Sequence, residues 1–114
     1  MLADVRFVQA GRAVVAHVTG EIDISNAESL RTAITEATPN QSLALVLDLS
    51  DIGYLDSAGI RVIYQLRGDL RARGQSLRLV IPPASPAVDA LRLAGVARNL
   101  ETVETVEAAL KDLA

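Results

Sequence analysis

Asp56 and Ser57 are the adjacent pair in this sequence best suited to chemistry, within the run Tyr54-Leu55-Asp56-Ser57-Ala58-Gly59. A serine hydroxyl at the start of a helix can accept a phosphoryl group, and the positive end of the helix dipole would then face the new charge. Serine and aspartate are also common helix caps, so either residue could instead satisfy the orphan amides of the first turn. A phosphate on Ser57 would add about -1.5 to -2 charge beside Asp56. Such a charge repels an acidic or closely packed partner, at a cost of about several kcal/mol in an interface.

Other chemistries find less support. Glu21, Asp23, Asp48, Asp51 and Asp56 could gather a divalent cation at strand ends, in the manner of response-regulator domains. That scheme needs a well-placed lysine, and the one lysine is Lys111, near the far end of the chain. His17 is the single histidine; it stands in an apolar strand pattern, expected as a packed or half-exposed residue rather than a catalytic base. No Gly-Lys-Ser or Gly-Lys-Thr exists to form a phosphate-binding loop. With no cysteine there is no thiol nucleophile, disulfide or thiolate zinc site. The expectation is therefore a protein that is not an enzyme and carries no cofactor or metal.

The elements that must position Asp56 and Ser57 can be read from periodicity. Alternation at Val5 and Phe7, then at Val14, Ala16 and Val18, predicts two strands joined through Gln9-Ala10-Gly11-Arg12 as a hairpin turn. Ser25-Asn26-Ala27-Glu28 has the form of a capping box, and Ala27, Leu30, Ile34 and Ala37 come after it at helical spacing until Pro39. The apolar run Leu43 to Leu49 predicts a central strand covered on both faces. Residues 57–73 then read as the longest helix, ended by Gly74. Gly59, Val62, Ile63, Leu66 and Leu70 form its inward face; Ser57, Ile60, Arg61, Tyr64, Gly68 and Arg71 form the other, making Ile60 and Tyr64 a candidate contact patch beside the serine.

Leu77 to Ile81 predicts the next strand, closed by Pro82-Pro83. Ser85, Pro86 and Gly95 frame a third helix, Leu100 to Val103 a short edge strand, and Thr105 to Leu113 a last helix. Strands alternating with helices after one hairpin predict an α/β fold: a mixed, mostly parallel sheet of four to five strands with about four helices.

The 114 residues, 50% of them hydrophobic and 22% charged, suffice for one core, so 1–114 is expected to be a single domain. A net charge of -3 and scattered arginines argue against nucleic acid as a direct partner. Arg61, Arg67, Arg71 and Arg73 concentrate on the predicted long helix, where a solvated face accounts for them. No apolar stretch reaches membrane-spanning length and the N-terminus lacks a signal-peptide pattern, so no membrane association and a cytoplasmic location are expected.

Gly20-Glu21-Ile22-Asp23, together with Asp48-Leu49-Ser50-Asp51-Ile52-Gly53-Tyr54-Leu55-Asp56-Ser57-Ala58-Gly59, resembles the paired signature of STAS domains in bacterial anti-sigma factor antagonists. The resemblance extends over nearly the whole chain, through Gly74 and Leu93-Ala94-Gly95-Val96. It implies partner switching. The dephosphorylated antagonist binds an anti-sigma factor that is a serine kinase, freeing the sigma factor for transcription; phosphorylation by that kinase releases the antagonist, and a phosphoserine phosphatase restores it. By position the phosphoacceptor is Ser57, Asp23 and Asp56 flank it on the kinase-binding surface, and Gly59 matches the family glycine just beyond it. Ala58 stands where many members have serine or threonine, which removes any second acceptor there. Family precedent favours a monomer when free. A runner-up role is a non-switching STAS scaffold or accessory subunit in a signalling or transport complex.

Overall fold

The computed structural model describes residues 3–85, 87–111 and 113. Two strands open the chain, β1 (Ala3–Ala10) and β2 (Ala13–Ile22), joined by a tight turn at Gly11 and Arg12. Gly11 sits at φ 62°, a left-handed conformation that glycine adopts without steric cost. Pairing continues to Ala10 opposite Ala13, so Gln9 and Ala10, expected in the turn, belong to the strand.

The remaining elements are α1 (Ala27–Ala37), β3 (Ala44–Leu55), α2 (Ser57–Arg71), β4 (Ser76–Val80), α3 (Val88–Leu93), α4 (Val96–Asn99), β5 (Glu101–Val103) and α5 (Val106–Leu110). The five strands form one sheet in the order β1-β2-β3-β4-β5, antiparallel in the first hairpin and parallel thereafter. The expected α/β architecture is present, with β3 central. Where one helix was expected between Ser85 and Gly95, α3 is only six residues long, and α4 adds a further turn beyond Gly95. Pro86, expected to open that helix, lies outside the described residues.

The two faces of β3 seed two apolar clusters, because successive side chains alternate across a sheet. Leu45, Leu47 and Leu49 pack with Leu30 and Ile34 of α1, Val62, Ile63, Leu66 and Leu70 of α2, and Leu91 of α3. Ala44 and Val46 pack on the opposite face with Val15, Val80 and Ala109 of α5. Arg78 fastens this second layer, its Nη1 donating to the Ala109 carbonyl at 2.7 Å while Nε lies 3.1 Å from Glu101 Oε2.

Across the helical layer, Arg31 grips Asp69 with two parallel bonds of 2.9 and 3.0 Å, tying α1 to α2. Arg73 donates to the carbonyls of Thr35 and Thr38, satisfying the end of α1 that Pro39 terminates. The predicted capping box does not form. Asn26 is the N-cap of α1 without a side-chain cap bond, because the Asn26 side-chain amide donates to the Glu21 carbonyl and its Oδ1 accepts from the Asp23 amide.

Candidate functional site

The parallel pairing of β2 with β3 brings the two separated motifs together. Ile22 pairs with Leu55, so the next residues, Asp23 and Asp56, leave adjacent strand ends side by side, and the Asp56 amide donates to the Ile22 carbonyl at 3.3 Å. Register shifts between His17 and Thr19 and between Gly20 and Glu21 locally bend this end of the ladder. Asp23 then folds back on its own loop. Its Oδ1 accepts from the Ser25 amide at 2.8 Å and from the Ser25 hydroxyl, and these two bonds, the hydroxyl foremost, hold its carboxyl below the usual aspartate value.

On β3 the chain passes straight from Leu55 into the helix without an intervening turn. Asp56 is the N-cap of α2: its Oδ1 accepts from the amides of Ala58 at 2.9 Å and Gly59 at 3.2 Å. That resolves the capping alternative at this junction. Ser57 occupies the first helical position, is exposed, and its hydroxyl has no hydrogen-bond partner among the described residues. The amides of Ala58 and Gly59 are engaged by Asp56 and so are not free to receive a phosphate on Ser57.

Gly59 does not contribute surface. It is buried, and a Cβ there would run into Leu55 Cδ1 and come within 2.9 Å of Ile22 Cγ2. Its place in the motif is a packing requirement that lets α2 start hard against the ends of β2 and β3. The expected outward patch is only half-exposed. Ile60 and Tyr64 are half-buried against the edge of the core, and the Tyr64 hydroxyl accepts from Asn99 Nδ2 at 3.2 Å. The bond to Asn99 ties Tyr64 to α4, a contact that helix periodicity alone does not reveal.

The exposed apolar groups near Ser57 are ones that periodicity does not single out. Ile24 is 82% exposed and Tyr54 49%. Ile24, Ala27 and Glu28 on the α1 side and Ala58, Arg61, Val62 and Gln65 on the α2 side line a groove of about 240 Å³ that opens beside Ser57. The available signal for Ile24 was an isolated large aliphatic residue in an otherwise polar loop, Asp23-Ile24-Ser25-Asn26.

A family model for the STAS domain matches residues 4–109. The chain belongs to the STAS domain family. The anti-sigma-F factor antagonist RsfB of Mycobacterium tuberculosis is 30% identical to it over 97 residues, spanning 84% of this chain and 77% of RsfB. Among solved structures, an anti-sigma factor antagonist from Mycobacterium paratuberculosis superposes with a TM-score of 0.85 at 23% identity, covering 98% of this chain and 94% of that one. The phosphorylated form of the Bacillus cell fate determinant SpoIIAA gives a TM-score of 0.67 at 18% identity, covering 97% and 100%. At these identities the two structures establish the STAS fold.

The rest of the STAS signature is spent on structure. Asp48 is buried in mid-strand, where Oδ1 accepts from the amide and hydroxyl of Ser50 and Oδ2 lies 2.8 Å from His17 Nδ1. Burial alone would raise this carboxyl, but the Ser50 and His17 contacts outweigh it and hold it below the usual value. His17 Nε2 is also 3.0 Å from Asp51 Oδ2, so the ring bridges two carboxylates of β3. Among the described residues no three His, Asp or Glu side chains are arranged to hold a metal ion, and no helix is long and apolar enough to cross a membrane.

Proposed function

We propose that this STAS domain is an anti-sigma factor antagonist that works by partner switching, with Ser57 as its phosphoacceptor. The observation that carries the proposal is the division of labour at the start of α2. Asp56 does the capping, so the Ser57 hydroxyl is exposed and unengaged among the described residues, beside the Asp23 loop and next to Ala58, which lines a groove. RsfB bears the name of an anti-sigma-F factor antagonist, and SpoIIAA has a phosphorylated form with this fold.

Dephosphorylated, the domain binds an anti-sigma factor that is a serine kinase, through Asp23, Asp56, Ser57 and the margins of α2 that include Ile60 and Tyr64, with Gly59 setting the approach of the helix. In the kinase reaction, Ser57 Oγ attacks the γ-phosphorus of ATP bound by the partner. The bond to ADP breaks, and the hydroxyl proton passes to a base on the kinase. The added charge beside Asp56 then opposes rebinding, and a phosphoserine phosphatase reverses the change. In this cycle the domain acts in the cytoplasm, as a monomer when free and without contact to DNA.

Incubation with the cognate anti-sigma kinase and ATP, followed by mapping of the modified residue, tests the assignment. Label confined to Ser57 and absent from Ser57→Ala is expected; label elsewhere, or undiminished labelling of the variant, overturns it. A non-switching scaffold would show no ATP-dependent release from its partner.

A further inference from the structure

We infer that Arg61 is an internal receiver for the Ser57 phosphate, so that modification rearranges a cation as well as adding an anion. This rests on Ser57 being the phosphoacceptor, and it concerns how the domain responds once the phosphate is in place. Three observations lead to it. First, the obvious local counter-charge is already in use: the Ala58 and Gly59 amides are bonded to Asp56, so the phosphate begins life between an occupied helix terminus and the carboxylates of Asp56 and Asp23. Second, Arg61 lies four residues along the same helix, the spacing at which side chains meet, with the acidic group on the N-terminal side, the better orientation. Third, Arg61 is exposed and uncommitted. It makes no ion pair among the described residues, whereas Asp69, the one acidic residue within α2, is held by Arg31, and Glu28 across the groove also pairs with Arg31.

Unphosphorylated, Arg61 contributes to the wall of the groove formed with Ile24, Ala27, Ala58 and Val62. A phosphate at Ser57 draws the guanidinium toward the start of α2, where its planar fork can engage two phosphate oxygens. The groove wall thus loses a cation as an anion appears next to Ala58, one of its lining residues. A partner that had placed a carboxylate near Arg61 meets the opposite charge.

The test installs phosphoserine at position 57 during translation, so no kinase is needed, and tracks the phosphate by phosphorus NMR as a function of pH. Asp56, Asp23 and Glu28 face the same region and are left unchanged, so the comparison isolates Arg61. At low ionic strength the second ionisation of the phosphate is expected about 0.3 pH unit higher in Arg61→Gln than with arginine present. The difference should shrink in high salt, and Arg61→Lys should restore part of it. Identical titration of the arginine and glutamine proteins at low salt overturns the inference. Failure of the kinase to label Ser57 is a separate outcome: it removes the functional proposal while leaving the measured coupling between the two side chains intact.

Discussion

Asp56 and Ser57 are neighbours with opposite energetic roles. Asp56 satisfies two amides of α2, so Asp56→Ala is expected to cost about 1–2 kcal/mol of folding stability. Ser57→Ala removes a hydroxyl with no partner among the described residues, and its cost should stay within about 0.5 kcal/mol while phosphorylation is lost. Urea unfolding of both variants measures the contrast; equal destabilisation would mean that Ser57 shares the capping work. At Gly59 a single methyl group would collide with Leu55 and press on Ile22. Gly59→Ala should therefore destabilise by about 1–3 kcal/mol and shift the start of α2, weakening partner binding without touching any exposed group. Chemical-shift changes at Ile22 and Leu55 would show the displacement.

At the scale of elements, the groove beside Ser57 exists because α1 and α2 are held side by side, and the Arg31–Asp69 pair is a principal tie. The Arg31 hydrogen bonds hold the Asp69 carboxyl below its usual value against the opposing effect of partial burial. A carboxyl with a depressed folded pKa binds fewer protons in the folded state than in the unfolded one. Its stabilisation is thus fully present above the unfolded value of about 3.9 and is lost as pH falls through the lower folded value. Asp69→Asn is expected to lower stability by about 0.5–1 kcal/mol at neutral pH and to flatten the acid limb of the stability curve. Unfolding midpoints measured across the acid range for both proteins check the sign. The His17 bridge within the sheet behaves differently, because Asp48 is only 6% exposed. His17→Leu leaves that carboxylate with Ser50 as its remaining partner, and a loss of about 1–3 kcal/mol is expected in the same unfolding assay.

Over the whole molecule, β3 is the shared floor of both apolar layers, and its leucines on the α1 and α2 side are essentially inaccessible to solvent. Leu47→Ala should cost about 2–5 kcal/mol. Because β3 contacts both layers, the helical and α5 faces should unfold together, as one transition by far-ultraviolet circular dichroism and by the tyrosine signal. Two separated transitions would show that the α5 layer unfolds independently.

Much of this architecture was legible from periodicity. The inward face of α2 is the set Gly59, Val62, Ile63, Leu66 and Leu70, as the 3.6-residue period indicates, and the run from Leu43 to Leu49 marks the first half of the central strand, which continues to Leu55. Those features are local: the order of apolar residues along a helix or strand fixes which side must be hidden. The two motifs likewise marked Asp23, Asp56 and Ser57 without any structure. Partner choice among equivalent polar groups was not legible. Whether Asp56 or Ser57 caps α2 and whether Ser25 serves a capping box or Asp23 are choices among neighbours two or three residues apart that residue type and spacing do not separate, whereas the seating of Ile60 and Tyr64 against the core depends on elements remote in sequence. The pairing of Ile22 with Leu55 decided that Asp23 and Asp56 leave the sheet side by side. Sequence alone therefore determined that a serine lies at a helix start next to an aspartate. The structure showed that the aspartate caps and that the serine hydroxyl has no partner among the described residues, and the tertiary pairing set this junction beside the Asp23 loop, because Ile22 pairs with Leu55 and Gly59 lets α2 start against both.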